Sequence, residues 1–206
     1  ADNNTALGHD SLKANTTGTY NVAVGAAALD ANTTGGSSVA AGYGALGANT
    51  TGGNNTALGH STLAANTTAA NNVAVGHEAL TANTTGEYNV AVGAAAGDAL
   101  TTGSVNTAVG YNTLGVATTA ANNTALGGQA LAVNTSGTGN TAVGQNAMVA
   151  NTEGHSNTAI GSEAGDSITT GDENTALGHG ALDGATTADG NTAVGTDAMG
   201  GALTGS

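Results

Sequence analysis

The chain has 206 residues, a formal net charge of −13 and one basic residue, Lys13. One lysine cannot displace the counterions of a phosphate backbone, which excludes nucleic acid as a partner, and it leaves nothing to hold an anionic membrane surface. Cysteine and proline are absent and four tyrosines are the only aromatics, so neither disulfides, thiolate metal sites nor a large aromatic core holds the chain together.

No apolar run approaches the roughly 18 residues of a membrane-spanning helix, and no basic start precedes an apolar segment as in a secretory leader. The expectation is a processed form or a piece of a longer protein. Organisation comes instead from a repeat. Asn-Thr-Ala-Leu-Gly at Asn4 to Gly8 recurs every 17 residues. It starts at Asn4, Asn21, Ser38, Asn55, Asn72, Asn89, Asn106, Asn123, Asn140, Asn157, Asn174 and Asn191, with no insertion or deletion. Positions within each repeat are numbered here from 1 at that residue. Strict spacing of this kind is the mark of stacked coils, because one insertion would break every column. Residues 1–206 therefore read as one continuous solenoid domain of twelve repeats.

In chain order, the first element of each repeat is positions 1 to 5. Position 1 is Asn in every repeat except Ser38, position 3 is always Ala, and position 5 is always Gly. Thr or Val at 2 and an aliphatic at 4 predict a short strand, ended by the glycine. The position-1 residues Asn4, Asn21, Asn55, Asn72, Asn89, Asn106, Asn123, Asn140, Asn157, Asn174 and Asn191 then stack as an asparagine ladder. The two faces of the strand allow two readings. If 2 and 4 point inward, then Ala6, Ala23, Ala40, Ala57, Ala74, Ala91 and their equivalents form a flat outer ribbon, a lateral interface. Alternatively, the alanines line a thin interior.

The next element, positions 6 to 11, reads as a second strand or a single helical turn. Position 9 is usually Leu or Met and points inward. It is Gly at Gly97 and Gly165, and there position 12 changes from Asn to Leu100 and Ile168. The large group is moved rather than lost, as a close-packed layer of constant volume requires. Acidic residues fall mainly at 7, 10, 16 and 17, so 7 and 10 are read as a solvated ridge.

Positions 12 to 15, often Asn-Thr-Thr-Gly, predict a turn. Six turn asparagines, Asn15, Asn32, Asn49, Asn66, Asn83 and Asn134, lie in Asn-x-Ser/Thr sequons. They are candidate glycosylation sites, although Asn and Thr are also good turn formers, and the exchange between positions 9 and 12 hints that this Asn faces inward. The whole is an all-β, parallel β-solenoid of twelve 17-residue coils.

The motif Asn-(Thr/Val)-Ala-(Val/Leu/Ile)-Gly resembles the Ser-Val-Ala-Ile-Gly head repeats of trimeric autotransporter adhesins; Ser38-Val39-Ala40-Ala41-Gly42 comes nearest. It is also similar to Asn-Thr-Ala-Val-Gly repeats of phage tail-fibre-like and bacterial surface proteins. The likeness runs through nearly the whole chain. It implies a left-handed β-roll, often trimeric, projecting from a cell or virion. The adhesin repeat is shorter and lacks the Asn-Thr-Thr-Gly turn.

Catalytic, cofactor and metal sites are not expected, since a uniform coil has few concavities that exclude water. Of the histidines, His9, His60, His77 and His179 occupy position 6, and only His60 and His77 fall in adjacent coils. That is a metal pair or, with more weight, a solvated variable position. Loose calcium binding by the acids at 7 and 10 is the one cofactor considered. The function expected is an extracellular structural fibre built from copies of the chain, at a cell or virion surface. The alternative is an adhesin head or tail-fibre segment that binds cell-surface glycans or proteins. Ice binding ranks third, because the Thr at position 2 is taken to face inward.

Overall fold

The computed structural model describes residues 2–201. Twelve three-residue strands, β1 (Thr5–Leu7) to β12 (Thr192–Val194), form one parallel sheet in chain order. Each pairs with the next in the 17-residue register, Ala on Ala throughout, as in Ala74↔Ala91. Eleven such pairs at the usual spacing span about 53 Å.

The remaining fourteen positions of each coil carry no strand and, among the described residues, no helix. They are tied to neighbouring coils by backbone bonds all the same: Leu29 N–H donates to Ala45 O at 3.0 Å, and Gly42 N–H to Val24 O at 2.8 Å. The expected helical turn at positions 6 to 11 does not form, because positions 7 and 9 are left-handed. Ala27 has φ +56° and Leu29 +51°, and such residues interrupt a right-handed helix. Position 17 is left-handed too, as at Tyr88 with φ +58°. These bends, with the glycine at position 5, close the coil.

The strand faces opposite to the first reading. Ala23, Ala40, Ala57, Ala74 and Ala91 are fully buried, and Ala6 is exposed only because its coil is the first. The aliphatics of position 4, such as Val24, Leu58 and Leu126, point outward at about 37 to 44% exposure. The alanine column is therefore core and not a lateral interface. The cause is width. Leu or Met at 9, Ala or Thr at 8 and an asparagine at each of positions 1 and 12 fill the coil's interior, leaving room opposite them for one methyl group.

The relocated side chains are seen directly. A Cβ on Gly97 would stand 3.0 Å from Leu100 Cδ1 and 3.1 Å from Leu80 Cδ2, so Leu100 fills the volume that position 9 fills elsewhere. Because Leu100 and Ile168 replace ladder asparagines, Asn83 Oδ1 and Asn151 Oδ1 have no donor above them. Gly97→Leu alone is expected to destabilise by about 1–3 kcal/mol through overpacking, and Leu100→Asn alone by about 2–5 kcal/mol through a cavity. Together they rebuild the common layer and supply Asn83 with a donor. The double variant should unfold later in urea than either single one, and simple additivity of the two losses would refute the shared-volume account.

Position 10 is less solvated than the pattern of charges suggested. Asp98 and Asp166 are half-buried, in the two coils with Gly at position 9. Burial raises the pKa of both, and neighbouring acids push the same way: Glu78 for Asp98, Asp183 and Glu163 for Asp166. A carboxyl whose pKa is higher folded than unfolded favours folding below its unfolded pKa, and that contribution is lost as pH rises through the folded value. With 14 acids against one lysine, protonation also relieves self-repulsion. The melting temperature should therefore rise from pH 7 to pH 4, and Asp98→Asn should raise it at pH 7. A lower melting temperature at pH 4 in low salt would contradict this.

Candidate functional site

Two asparagine ladders run along the rod, one at position 1 through the described coils and one at position 12 that is broken at Leu100, Ala117, Ile168 and Ala185. At position 1, the backbone N–H from Asn21 to Asn191 donates to the side-chain oxygen one coil before, as Asn89 N–H to Asn72 Oδ1 at 2.9 Å, and the Nδ2 of the asparagines from Asn4 to Asn174 donates to the turn carbonyl, as Asn72 Nδ2 to Gly86 O at 2.9 Å. Asn21 through Asn174 of this column are buried; Asn4 and Asn191, in the end coils, are half-buried. At position 12, Asn49 Nδ2 donates both to Asn32 Oδ1 and to Gly52 O, each at 2.9 Å. The expected ladder is thus present, with a second beside it that shares the same turn carbonyl: Gly35 O accepts from both Asn21 and Asn32.

This takes five of the six turn sequons off the surface; the exposed sequons are those at Asn3, Asn54 and Asn122, at position 17. Asn32, Asn49, Asn66, Asn83 and Asn134 have no exposed surface, and the Nδ2 that a glycan would occupy is donated within each turn. Asn15 is half-buried with the same bond to Gly18 O. In the folded chain these six are structural. The Thr beside them extends the pattern: Thr33 Oγ1 donates to Thr50 O at 3.0 Å.

What the ladders support is the outer face of the sheet. It presents Thr or Val at position 2 and mostly Val, Leu or Ile at position 4, in twelve ranks at coil spacing. No repeat has a charge at positions 1 to 5. Two side chains per rank, about 7 Å apart along each strand, make a band roughly 10 Å wide and 53 Å long, or roughly 500 Å². Position 2 is Thr in eight repeats and Val in four, so the band is an aliphatic file at position 4 beside a mixed one, and an exposed apolar file of that length usually has a use.

All four tyrosines border this band. Tyr20 and Tyr88 stand at position 17, just before the strand, and Tyr43 and Tyr111 at position 6, just after its glycine; each is 57 to 65% exposed. Tyrosine supplies rigid amphipathic contact area and is enriched where surfaces meet. The composition showed four tyrosines; only the fold reveals that they form two rims.

On the position-6 rim, Tyr43, His60 and His77 stack as three successive rings, with centroids 5.3 and 5.2 Å apart and planes within 20°. His77 Nδ1 lies 3.6 Å from Glu78 Oε2. His9 pairs with Asp10 at 3.5 Å, and His179 lies between Glu163 and Asp197 at 3.8 and 3.6 Å. His155, at position 16 of its repeat, accepts from the backbone N–H of Thr138 at 3.0 Å. The acids at 7 and 10, considered for calcium, form no group of three that also brings in position 10 among the described residues.

No helix among the described residues is long and apolar enough to cross a membrane. Comparison with family models, with curated proteins and with solved structures finds no match for this chain.

Proposed function

We propose that the chain is a structural rod, the shaft of an extracellular filament, which packs against further copies of itself through the outer face of its sheet. The observation that carries this reading is the uncharged band of positions 2 and 4, aliphatic at 4 and Thr or Val at 2, rimmed by tyrosines. A chain of net charge −13 repels its copies along the acidic columns at positions 7, 10, 16 and 17 and not along such a band. A second copy also repeats at the same coil spacing, so its ranks interdigitate at every layer. A partner without the repeat would match only locally.

The test is to place lysines in the middle of the band, as Val90→Lys with Val92→Lys. Both side chains are solvent-facing, so the coil itself is expected to survive, which circular dichroism checks. Wild type should sediment as an oligomer or appear as filaments by electron microscopy, and the double variant as single rods. A monomeric wild type at high concentration would sink the proposal.

One observation favours a second reading. Position 2 faces outward, so Thr107, Thr124, Thr141, Thr158, Thr175 and Thr192 form an outer threonine file over six successive coils. This removes the objection to ice binding, which uses flat, regularly spaced Thr arrays. Thermal hysteresis in a concentrated sample, abolished by Thr141→Lys, would establish that use of the face; none would leave self-packing as its use.

A further inference from the structure

We propose that His60, His77 and Glu78 form a binding site for one divalent transition-metal ion, Zn²⁺ foremost, on the position-6 rim. One ligand atom from each residue lies within 4.8 Å of the others. His77 Nδ1 and Glu78 Oε2 are already 3.6 Å apart. Two ligands held at about 2.0–2.2 Å by one tetrahedral ion stand about 3.3–3.6 Å apart, so this pair is at chelating distance before any ion arrives.

The third ligand is brought close by the fold. His60 and His77 occupy the same position in consecutive coils, and their rings stack with planes 12° apart. Stacked rings point their lone pairs in parallel, so His60 must turn about its side-chain bonds to converge on the ion. Both histidines are exposed, and nothing in the core opposes that rotation. The backbone beneath has no need to move. Glu78 N–H donates to His60 O at 3.0 Å, which ties the two coils together at the site. Glu78 has φ +58°, so the chain bends at the residue next to His77, bringing its carboxylate beside that imidazole. Tyr43, stacked on the far side of His60 at 5.3 Å, limits where that ring can swing.

Two imidazoles and a carboxylate suit Zn²⁺, Ni²⁺ or Cu²⁺, whereas Ca²⁺ prefers six to eight oxygens. Three protein ligands leave a fourth position for water or another molecule. The surrounding negative charge raises the local cation concentration. The other position-6 histidines, His9 and His179, have carboxylates near them but no second imidazole, and so serve as internal controls. The site does not depend on self-assembly of the rod.

The experiment is a calorimetric titration of the full chain with ZnCl₂ at pH 7.5, repeated for His60→Ala, His77→Ala, Glu78→Gln and His9→Ala. Wild type should bind one ion per chain with a Kd in the micromolar range. His60→Ala and His77→Ala should each weaken binding at least tenfold, Glu78→Gln several-fold, and His9→Ala not at all. Excess Ca²⁺ should not compete. Absence of saturable binding, or unchanged binding in His60→Ala, would overturn the assignment. So would loss of binding on His9→Ala. All these side chains are solvent-facing or half-buried, and unchanged circular dichroism confirms that each variant folds.

Discussion

Gly93→Ala is expected to be among the most damaging single substitutions, destabilising the rod by about 3–5 kcal/mol. Gly93 has φ +137°, a conformation open in practice to glycine alone. A Cβ there would also overlap the carbonyl of Gly110 in the next coil. That obstacle is backbone rather than a flexible side-chain end, so relief requires the two coils to separate. The same geometry recurs at Gly25, Gly42, Gly59, Gly76, Gly110, Gly127, Gly144, Gly161 and Gly178, which is the physical reason for glycine at position 5 in every repeat. Gly195 tests the account internally. Among the described residues, a Cβ there would meet only Ala198 Cβ at 3.9 Å. Gly195→Ala should therefore cost only its backbone strain, about 1–3 kcal/mol. Urea unfolding of the two variants decides this, and equal losses would show that coil-to-coil crowding is not the cause.

The second large effect is expected at Asn72. Removing its amide as Asn72→Ala leaves the Asn89 N–H without a partner inside the coil and leaves Gly86 C=O with only the Asn83 amide. The orphaned N–H costs about 1–3 kcal/mol and the second lost bond about 0.5–1.5 kcal/mol, so a loss of about 2–4 kcal/mol is expected. Asn72→Asp should be at least as harmful near neutral pH, because it keeps the shape but sets a carboxylate oxygen against the Gly86 carbonyl in a buried place. Asn72→Ser should be the mildest. The chain already contains that solution: Ser38 Oγ accepts from Asn55 N–H at 3.2 Å, keeping the acceptor and giving up only the donor. Thermal melts should rank the variants Ser above Ala, with Asp recovering as pH falls. Asp equal to wild type at pH 7 would refute the buried ladder.

Much of this architecture was legible in the residues. The 17-residue register, the Asn ladder and the inward Leu or Met at position 9 all follow from spacing and from the exchange at Gly97 and Leu100. The facing of the strand did not follow from hydrophobicity, because both faces are apolar and Val or Leu outranks Ala. The better signal was variation in size. Position 3 holds one methyl in every repeat, while positions 2 and 4 range over Thr, Val, Leu, Ile and Ala. An interior constrains volume and an exterior does not. The bends had a similar signature. Gly44 and Gly180 stand in for other residues at position 7, and Gly139 and Gly190 at position 17, all with φ between +59° and +70°. The nearness of His60 and His77 followed from their shared position in adjacent coils, but the tyrosine rims and the addition of Glu78 to that pair did not, because they depend on which way position 6 and Glu78 turn as the coil bends.

The stacking of coils by hydrogen bonds that run along the rod has a mechanical consequence. A load applied along the axis pulls on one layer's bonds at a time, like a zip opened from its end, rather than shearing many in parallel. Each layer that lets go exchanges a rise of about 5 Å for the contour length of its 17 residues, about 56–61 Å. Stretch would therefore be released in equal steps of about 51–56 Å, with the end layers, which have a neighbour on one side only, yielding first. Because neighbouring layers are so alike, a detached one has its original docking surface waiting when tension falls. Under pulling, such a rod is a reversible shock absorber whose capacity grows with its number of layers.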